Sequence, residues 1–577
     1  MKVKFAKTAG FCMGVRRAME MVLTEANRGE GPLFTFGPLI HNNQVLDLLA
    51  SKGVQTVEDL DGLHTGRIVI RAHGIPPQKR QALRDTGLKI IDATCPKVAR
   101  VQAIIRYHTK KGYTAVIVGD KDHAEVIGLM GYSKGPVHVI KSPEEVSALP
   151  NSKRLIVVAQ TTQNEKNYRA VIKVLKERFK NVLVFDTICE ATSQRQEEVR
   201  ALAGQVDALV IVGGYHSGNT QRLAEISRAE GIPTFHVETE KNLDKDKLHE
   251  MEVIGVTAGA STPNWMIKNV GKELEGIRGR RETSFFRWTK KALKFLVLSN
   301  LFVASGAFSF AYAVTILSER KPGFIFPLLT FMYIYAMIAF NRFVDKGASA
   351  YNDPERAAFL KKYKPLLITM GIAAIITALL LSYSIGLVTL LAVSGLSLLG
   401  IMYSIPLVPK GIRQKAPYSK IKDIPGSRTL SEALAWAVMI TVLPLLETDQ
   451  IIWPAAIISI FIVFFASYTR SALFDIFRVQ GDLIVGSETL PITLGEKRTL
   501  LLLKMILLSS GIILCGAPLL GLVGHFSFLF LLPLFTLSLC LVAYERSWLY
   551  PGIAFEFLVE GNFFLAGFLA LIWQGLQ

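Results

Sequence analysis

Two kinds of hydrophobic patterning divide the chain. Over residues 1 to about 276, short apolar runs of strand length alternate with stretches whose apolar residues recur at helical spacing, and polar turns separate them. This alternation of strand and helix is typical of parallel α/β folds. From about residue 294, long and continuous apolar stretches follow one another to the C-terminus. The pattern therefore predicts an α/β region followed by a helical membrane region.

Nine apolar stretches in the second region have the length of a membrane-spanning helix, or nearly so. They lie at approximately 294–317, 323–340, 365–384, 386–405, 429–446, 451–468, 499–522, 525–543 and 552–573. Lys and Arg concentrate in alternate loops (341–364, 406–428 and 469–498), whereas the loops near 385, 448 and 523 carry neither. The positive-inside rule places the basic loops in the cytoplasm. We predict an all-α transmembrane bundle of nine helices and a cytoplasmic N-terminal domain.

Length and charge refine this division. A chain of 577 residues is too long for one hydrophobic core, and we place a soluble domain at 1–276, a basic linker at 277–293 and a membrane domain at 294–577. The basic and aromatic residues around the linker, RGRRETSFFRWTKKALK, favour contact with anionic membrane lipid. Membrane topology accounts for most of the net charge of +18, so no nucleic-acid partner is expected. The first ten residues lack the apolar core of a signal peptide.

Three of the five cysteines lie between a strand-like run and a helix-like run. Cys95 lies in IDATCPKV, Cys189 in VLVFDTICEATSQRQ and Cys12 in KTAGFCMGVRRA. Cytoplasmic thiols stay reduced, so they more often bind metal or take part in chemistry than form disulfides. The repeated setting indicates three similar modules, each of which delivers one thiol to a common centre. Cys515 and Cys540 lie in apolar membrane stretches, and we interpret them as small buried hydrophobic residues.

Six turns that follow a strand and open a helix carry hydrogen-bonding side chains. They are GPLIHNNQ (His41), RAHGIPPQ (His73), GDKDHAEV (His123), AQTTQNEK (Thr161, Thr162), GGYHSGNT (Ser217, Asn219) and AGASTPNW (Ser261, Thr262). Helix N-termini bind anions through free N–H groups and the helix dipole. Ligands of parallel sheets gather at the carboxyl ends of the strands. Three inward-facing modules would therefore surround one cavity with three thiols and six anion-binding turns.

The spacing of the cysteines leaves the nature of this centre open. Three thiolates from distant loops suit an iron–sulfur cluster with one iron free of a protein ligand, or a Cys3His zinc site. Three unrelated buried cysteines would require neither. Zinc ribbons and redox dithiols are poorly supported, because no CxxC pair occurs. A zinc-bound domain that senses diphosphate is a further alternative, which metal analysis would distinguish from an iron protein.

Nine strings occur in order over residues 1 to 275: GFCMGVRRA, HNNQV, AHGIPP, DATCPKV, HAEVIG, QTT, DTICEAT, SGNTQRL and GVTAGASTPNW. In this order they closely resemble the 4-hydroxy-3-methylbut-2-enyl diphosphate reductase family (LytB type). The resemblance implies an α/β trefoil of three pseudo-symmetric modules around a 4Fe–4S cluster held by Cys12, Cys95 and Cys189. It also implies reductive removal of the substrate hydroxyl, with two electrons and two protons, to give isopentenyl and dimethylallyl diphosphates for isoprenoid synthesis by the methylerythritol phosphate pathway.

The same resemblance assigns roles to individual residues. Glu125 would deliver protons, His41, His73 and His123 would bind the allylic diphosphate, and Thr161, Ser217, Asn219 and Ser261 would complete the polar shell. Electrons would come from an external donor of the ferredoxin or flavodoxin type. One position departs from the commoner pattern, because SGN places Gly218 where a second serine is frequent. The missing hydroxyl is expected to weaken diphosphate binding by about 1 kcal/mol.

Two polar segments of the membrane region carry carboxylates: NRFVDKGASAYNDPER at 341–356 and DIFRVQGDLIVGSETLP at 475–491. Acids that face one cavity can hold Mg²⁺ for a diphosphate, although solvated loop charge explains them equally well. With nine helices and these two motifs, residues 292 to 577 resemble the UbiA-type membrane prenyltransferase superfamily. The resemblance implies transfer from a polyprenyl diphosphate to an acceptor, with a Mg²⁺–diphosphate site formed by Asn341, Asp345, Asp475 and Asp482.

This second half departs from its family pattern at charged positions. Arg342 and Ser349 replace acids of the first motif, and Arg478 occupies a place in the second that is often acidic. An arginine there both removes a ligand and adds positive charge beside a dication. The sequence thus predicts an iron–sulfur reductase fused to a prenyltransferase-like domain. The alternative is that the membrane half is a catalytically silent anchor or binding module for the reductase.

Overall fold

The computed structural model describes residues 1–277, 284–344, 351–404, 424–487, 489–546, 548–549 and 551–577. The chain divides into two compact units, which we call the N-terminal unit (Met1–Glu282) and the helical unit (Thr283–Gln577). All strands of the described residues belong to the N-terminal unit.

The strands of the N-terminal unit are short and all pair in parallel. They are β1 (Lys2–Phe5), β2 (Leu33–Phe36), β3 (Val54–Val57), β4 (Arg67–Ile70), β5 (Lys89–Asp92), β6 (Thr114–Val118), β7 (Val137–Ile140), β8 (Leu155–Ala159), β9 (Val182–Val184), β10 (Ala208–Val212), β11 (Thr234–Val237) and β12 (Val253–Ala258). They form three four-stranded sheets, ordered β1-β12-β10-β11, β3-β2-β4-β5 and β7-β6-β8-β9.

Helices connect these strands, as parallel pairing requires. They are α1 (Met13–Arg28), α2 (Asn43–Ser51), α3 (Pro77–Asp85), α4 (Pro96–Lys110), α5 (Ala124–Gly131), α6 (Glu165–Arg178), α7 (Glu190–Ala203), α8 (Gly218–Ala229), α9 (Lys245–Leu248) and α10 (Asn264–Gly276), with short 3₁₀ turns at Pro143–Ala148 and Glu240–Asn242. The inner strands β4, β6, β8 and β10 are buried along their whole length, because helices cover both faces of each sheet.

The three sheets repeat one plan, which makes the N-terminal unit a trefoil-like α/β structure. A cysteine follows one edge strand of each sheet: β1, β5 or β9. The next two strands inward are β12 and β10, β4 and β2, or β8 and β6, and these six strands lead into the six predicted turns. One sheet combines strands from both ends of the unit, since β1 pairs with β12.

The helical unit contains no strand among its described residues. Its helices are α11 (Ser284–Leu298), α12 (Leu301–Leu317), α13 (Ile325–Val344), α14 (Pro354–Lys362), α15 (Lys364–Ile385), α16 (Leu387–Ser404), α17 (Ser427–Ala437), α18 (Leu443–Leu446), α19 (Trp453–Val485), α20 (Leu490–Leu494), α21 (Glu496–Leu519), α22 (Phe526–Leu529), α23 (Leu531–Glu545) and α24 (Ile553–Leu576); a π-helical turn, Val438–Val442, joins α17 to α18. Aromatic rings of three helices meet in its core, where Phe563 lies 4.9 Å from Phe310 and 5.2 Å from Trp436 between centroids.

Seven described helices are long and apolar enough to cross a membrane, or eight if a bent pair counts as one span. That pair is α11 with α12, whose axes meet at 72°. Another predicted span corresponds to α16, whose apolar part, Leu387–Tyr403, is shorter than the others. The prediction of a helical membrane region is confirmed, whereas nine spans and a cytoplasmic N-terminus stay predictions.

Two expectations about the helical unit need correction. We expected Asp475 and Asp482 in a loop, but α19 continues well past its apolar part and carries both. Its polar end is buried against neighbouring helices, so these charges do not end the helix. We also expected Cys515 to be buried in protein, but it is exposed on α21, and Cys540 is half-buried on α23. An apolar stretch in a membrane can face lipid, so apolar surroundings in sequence did not imply burial in protein.

Candidate functional site

Each of the three cysteines of the N-terminal unit lies immediately before a helix, α1, α4 or α7. Pro96 fits at the start of α4 because its missing N–H needs no partner there. The backbone N–H groups of Cys12, Cys95 and Cys189 donate to the carbonyls of Ala260, Ala72 and Thr161, at 3.2, 2.9 and 2.9 Å. Each acceptor lies in the turn after the neighbouring strand of the same sheet. One backbone pattern therefore occurs three times and brings the three thiols to one cavity.

Close packing brings the thiols together. A Cβ added to Gly14 would lie 2.6 Å from Sγ of Cys95, so α1 can approach this thiol only because position 14 has no side chain. Burial raises the pKa of the Cys95 thiol, and the nearby Cys12 and Cys189 raise it further. Three converging thiols, without a fourth cysteine in the unit, are a fitting donor set for a cluster that leaves one iron open.

Three histidines form a second group in the same cavity. The ring centroid of His41 lies 4.9 Å from that of His73 and 5.6 Å from that of His123, and the last two lie 5.4 Å apart. Nε2 of His41 and Nδ1 of His73 are buried and have no partner among the described residues. Nδ1 of His123 accepts from the N–H of Glu125 at 3.1 Å, which places the proton of the neutral ring on Nε2.

Burial keeps these histidines neutral. It lowers the pKa of His41 and of His73, the latter strongly, and the pKa of His123 falls to about 4. The charge of Arg71 lowers the pKa of all three as a smaller effect. At neutral pH each ring thus offers one N–H donor and one acceptor nitrogen. Their candidate ligand atoms lie within 4.8 Å of one another, so the group could hold a metal ion or donate to an anion.

Glu125 is the buried acid of the cavity, with only 1% of the residue exposed. Its two carboxylate oxygens accept from the N–H of Thr161 at 2.7 Å and from Oγ1 of Thr161 at 2.8 Å. Burial raises the pKa of Glu125, while these two hydrogen bonds oppose the rise. A carboxyl group with a raised pKa, held in one orientation, is suited to proton delivery.

The remaining predicted residues line the same cavity. Oγ of Ser217 lies 3.3 Å from Oγ of Ser261, and Nδ2 of Asn219 is buried without a partner among the described residues. Gly218 begins α8, and a Cβ added there would meet only the ring of His123, at 3.7 Å or more. The structure thus has room for a Cβ at this position.

Two residues that the sequence analysis did not single out also shape the site. Asn42 caps α2 and donates through Nδ2 to the carbonyl of Ser261 at 3.1 Å, which fastens turns of two different sheets together. Arg195 lies in α7, is 4% exposed and lines the cavity beside the thiols. The strings HNNQ and TSQRQ contained both residues, but no spacing rule marks such contacts between distant turns.

The predicted acids of the helical unit are only partly described. Asp345 lies outside the described residues, and Asn341 lies in the last turn of α13. Asp475 and Asp482 are seven positions apart on α19, so they lie on nearly the same face of the helix. Both carboxylates are buried and contact Nη1 of Arg428, at 3.4 and 3.2 Å.

Neutral side chains also contact these two acids. Asp475 accepts from Oγ1 of Thr429 at 2.8 Å, and Asp482 accepts from Nδ2 of Asn352 at 3.0 Å. The two acids of α19 therefore contact the same protein cation, and the predicted site with Asn341 and Asp345 stays a prediction. Arg342 is half-buried near the end of α13, and its Nε has no partner among the described residues.

Comparisons with known proteins agree with this division. Residues 3–275 match the family model described as LytB protein, and residues 300–566 match that of the UbiA prenyltransferase family. A relative from Opitutus terrae, named 4-hydroxy-3-methylbut-2-enyl diphosphate reductase, is 43% identical over 48% of this chain and 100% of its own length. A relative of the same name from Geobacter sulfurreducens is 43% identical over 49% of this chain and 100% of its own length.

The chain is also similar to solved structures of UbiA homologues. A UbiA homologue from Archaeoglobus fulgidus, bound to DMAPP and Mg²⁺, is 16% identical, covers 48% of this chain and 99% of its own, and has a TM-score of 0.31. The chain belongs to the LytB protein family through residues 3–275, and its residues 300–566 match the model of the UbiA prenyltransferase family.

Proposed function

We propose that the N-terminal unit reduces 4-hydroxy-3-methylbut-2-enyl diphosphate to isopentenyl and dimethylallyl diphosphates. The observation that carries the proposal is the convergence of three thiols, three histidines and Glu125 on one cavity. The names of the curated relatives support the same reaction. In it the C–O bond to the hydroxyl breaks, two electrons and two protons are taken up, and water leaves. An external one-electron donor of the ferredoxin or flavodoxin class would supply the electrons.

Cys12, Cys95 and Cys189 would hold a 4Fe–4S cluster in this proposal. When bound, the cluster would supply electrons and one Lewis-acidic iron without a cysteine ligand. The family of the unit supports iron over the zinc alternatives. The diphosphate would lie at the histidines and at the N-terminus of α8, where free N–H groups attract anions. Nε2 of His123, Nδ2 of Asn219 and the hydroxyls of Ser217 and Ser261 would orient it.

Glu125 would hold the proton that the departing hydroxyl needs. Its raised pKa keeps the carboxyl group protonated to a higher pH than an exposed glutamate. Thr161 fixes the carboxyl group through two hydrogen bonds and lies directly beside Cys189, whose N–H it accepts. A proton donor is therefore held at the same end of the sheet as one of the thiols. Burial of the site excludes bulk water, which would compete for the proton.

The helical unit has two candidate functions. We propose that it is a prenyltransferase-like membrane domain in which Asn341, Asp345, Asp475 and Asp482 bind Mg²⁺ and a polyprenyl diphosphate. The second candidate, a catalytically silent anchor or binding module, is favoured by the contacts of Arg428 with both Asp475 and Asp482. In either case the N-terminal unit would lie on the cytoplasmic side of the bilayer, and lipid would be a partner.

Anaerobic purification of the full-length chain in detergent tests the reductase. We expect about four irons per chain, visible absorbance of an iron–sulfur cluster and product formation that depends on a chemical reductant. Zinc in place of iron, or a colourless protein without bound metal, would overturn the assignment.

The second activity needs a separate assay. The full-length chain is supplied with Mg²⁺, a panel of polyprenyl diphosphates and candidate acceptors, and product is measured for the wild type, Asp475→Ala and Asp482→Ala. Transfer that is lost in both variants supports the metal site. Transfer that survives both changes excludes it, and no transfer with any donor supports the anchor.

A further inference from the structure

Arg195 is a buried cation beside the three thiols. It lies six residues after Cys189 on α7, is 4% exposed and lines the cavity. Its Nη2 donates to the carbonyl of Gly10 at 2.6 Å, and its Nη1 donates to the carbonyl of Ala191 at 2.8 Å. Nε is buried without a partner among the described residues. The guanidinium therefore joins the turn before Cys12 to the first turn of the helix that follows Cys189.

A carboxylate on the same helix reinforces this connection. Glu198 accepts from the N–H of Lys7 at 2.6 Å and from the N–H and Oγ1 of Thr8 at 2.9 and 2.6 Å. Together, Arg195 and Glu198 fasten the segment from Lys7 to Gly10 onto α7. The position of the Cys12 turn relative to Cys189 thus depends on two side chains of α7 with opposite charge.

Among the residues that the structure describes, none forms a direct ion pair with Arg195. The hydrogen bonds that Arg195 donates go to backbone carbonyls. The carboxylate of Glu198 accepts hydrogen bonds from Lys7 and Thr8 instead. A buried arginine usually has an acidic partner, because an unpaired charge in a protein interior is costly. Cys12 and Cys189 line the same cavity as Arg195, and negative charge on these sulfurs, like that of Glu198, stabilises its cation. The structure therefore places a positive charge where a negative metal centre would form.

We propose that Arg195 is a positioning residue that holds the Cys12 turn against α7 and raises the reduction potential of the cluster bound by the three cysteines. The inference rests on the proposed function of the N-terminal unit. A cluster with three thiolate ligands carries net negative charge, and an added electron makes it more negative. A fixed cation nearby stabilises the reduced form more than the oxidised form, and local charge is one of the properties that set cluster potentials. Arginine suits the position because its planar fork reaches two carbonyls at once.

The test measures the midpoint potential of the cluster in the full-length chain by a redox titration followed spectroscopically. For Arg195→Met we expect at least a tenfold lower ratio of reduced to oxidised cluster at a fixed potential, which is a shift of about 59 mV for a one-electron couple. Arg195→Lys keeps the charge but loses the fork, so it should change the ratio less than threefold while it releases iron faster to a chelator.

Two further variants separate the effect of charge on the potential from the effect of a loosened turn. Arg200→Met removes a cation from the same helix, but Arg200 faces Glu230 at 3.7 Å, and we expect less than a twofold change. Glu198→Gln loosens the same turn but removes a negative charge, so the potential should stay or rise. A wild-type potential in Arg195→Met, or equal lowering in Glu198→Gln, would overturn the electrostatic role.

Loss of the cluster from a variant is also decisive. If Arg195→Met retains no iron, Arg195→Lys carries the test: a ratio of reduced to oxidised cluster within threefold of the wild type supports the role of charge, and a tenfold lower ratio, or complete loss of iron from the lysine variant as well, overturns it. A wild-type chain without iron would instead contradict the proposed function, and the proposed role of Arg195 would fall with it. The wild-type iron content therefore distinguishes the two failures.

Discussion

The cavity of the N-terminal unit and the acidic site of the helical unit differ in how their polar groups are satisfied. In the cavity, ring nitrogens of His41 and His73 and the amide of Asn219 are buried without a partner among the described residues. In the helical unit, Asp475 and Asp482 are buried with one arginine and with neutral donors. The first site has buried polar atoms that a ligand could satisfy, whereas the second satisfies its acids with donors of the protein itself.

This difference has an energetic meaning. A buried polar group without a partner costs about 1–3 kcal/mol, and a ligand that satisfies several such groups recovers that free energy on binding. The cavity is therefore preorganised for an anionic ligand. A Mg²⁺ ion at Asp475 and Asp482 would first have to displace Arg428, so part of its binding free energy would be lost. The comparison predicts that the activity and stability of the N-terminal unit depend strongly on bound groups. Those of the helical unit should depend on them less.

The largest expected effect follows loss of a thiol. Cys95→Ser should abolish iron retention and reduce reductase turnover by more than about 100-fold, because a ligand of the metal centre is removed. Iron content and reductant-dependent turnover of the full-length chain measure this. Cys515→Ser, an exposed cysteine of α21, is the matched control and should retain both. Equal behaviour of the two variants would contradict the assignment.

Replacement of the buried acid tests proton delivery. Glu125→Gln keeps the size of the side chain but removes the proton donor, so turnover should fall by about 100-fold or more while diphosphate binding changes little. Steady-state kinetics separate kcat from KM. Glu177→Gln, an exposed change on α6, should leave both constants unchanged. A rise in KM with unchanged kcat would show that Glu125 binds substrate and does not deliver the proton.

Removal of Arg428 tests the other side of the comparison. Arg428→Met leaves two buried carboxylates without this cation and should destabilise the helical unit by about 3 kcal/mol. If the acids form a cation site, millimolar Mg²⁺ should restore much of the lost stability, since the ion takes the place of the guanidinium. Thermal unfolding in detergent, with and without Mg²⁺, provides the measurement. Lys497→Met, an exposed change, is the control, and destabilisation that Mg²⁺ does not reverse would favour the silent anchor.

The sequence predicted the local parts of both sites. Short apolar runs, the proline after Cys95 and the polar turns indicated strands that lead into helix N-termini, and all six turns lie where parallel strands end. These features depend on residues that are neighbours in sequence. Local patterning could not show that β1 pairs with β12, because that pairing joins residues at the two ends of the unit.

The sequence pattern also could not predict electrostatic partners that lie far apart along the chain. Arg428 lies 47 positions before Asp475, and Arg195 reaches Gly10 across 185 positions. No periodicity relates such residues, since their contacts follow from the packing of whole helices. The length of α19 was underestimated for a related reason: its apolar part ends near residue 468, but polar side chains paired inside the bundle allow the helix to continue to Val485.

The neutral histidines predict a pH dependence in the N-terminal unit. Burial lowers the pKa of His123 from its ordinary value of 6.5, which applies in the unfolded chain, to about 4 in the folded protein. Between these values the unfolded state binds more protons, so local stability should fall as pH falls from about 6.5 towards 4. Hydrogen exchange of the α5 amides, corrected for the intrinsic effect of pH, measures this. Inorganic diphosphate should lessen the loss because an anion favours the protonated rings. His123→Asn is the control and should show a shallower fall, since His41 and His73 keep lowered pKa values. An unchanged profile in this variant would contradict the contribution of His123.

The smallest expected effect concerns the missing hydroxyl at position 218. Gly218 begins α8, and a side chain there would meet the ring of His123 only at ordinary contact distance, so Gly218→Ser should fit without rearrangement. One added hydroxyl contact contributes about 1 kcal/mol, which corresponds to roughly fivefold tighter diphosphate binding. The measurement is the dissociation constant of inorganic diphosphate by calorimetry, with Gly218→Ala as the control that adds bulk without a donor. Tighter binding in the serine variant alone would show that the cavity still lacks a donor at the N-terminus of α8, whereas equal affinities would place the diphosphate away from this helix and would weaken the contrast between the two sites.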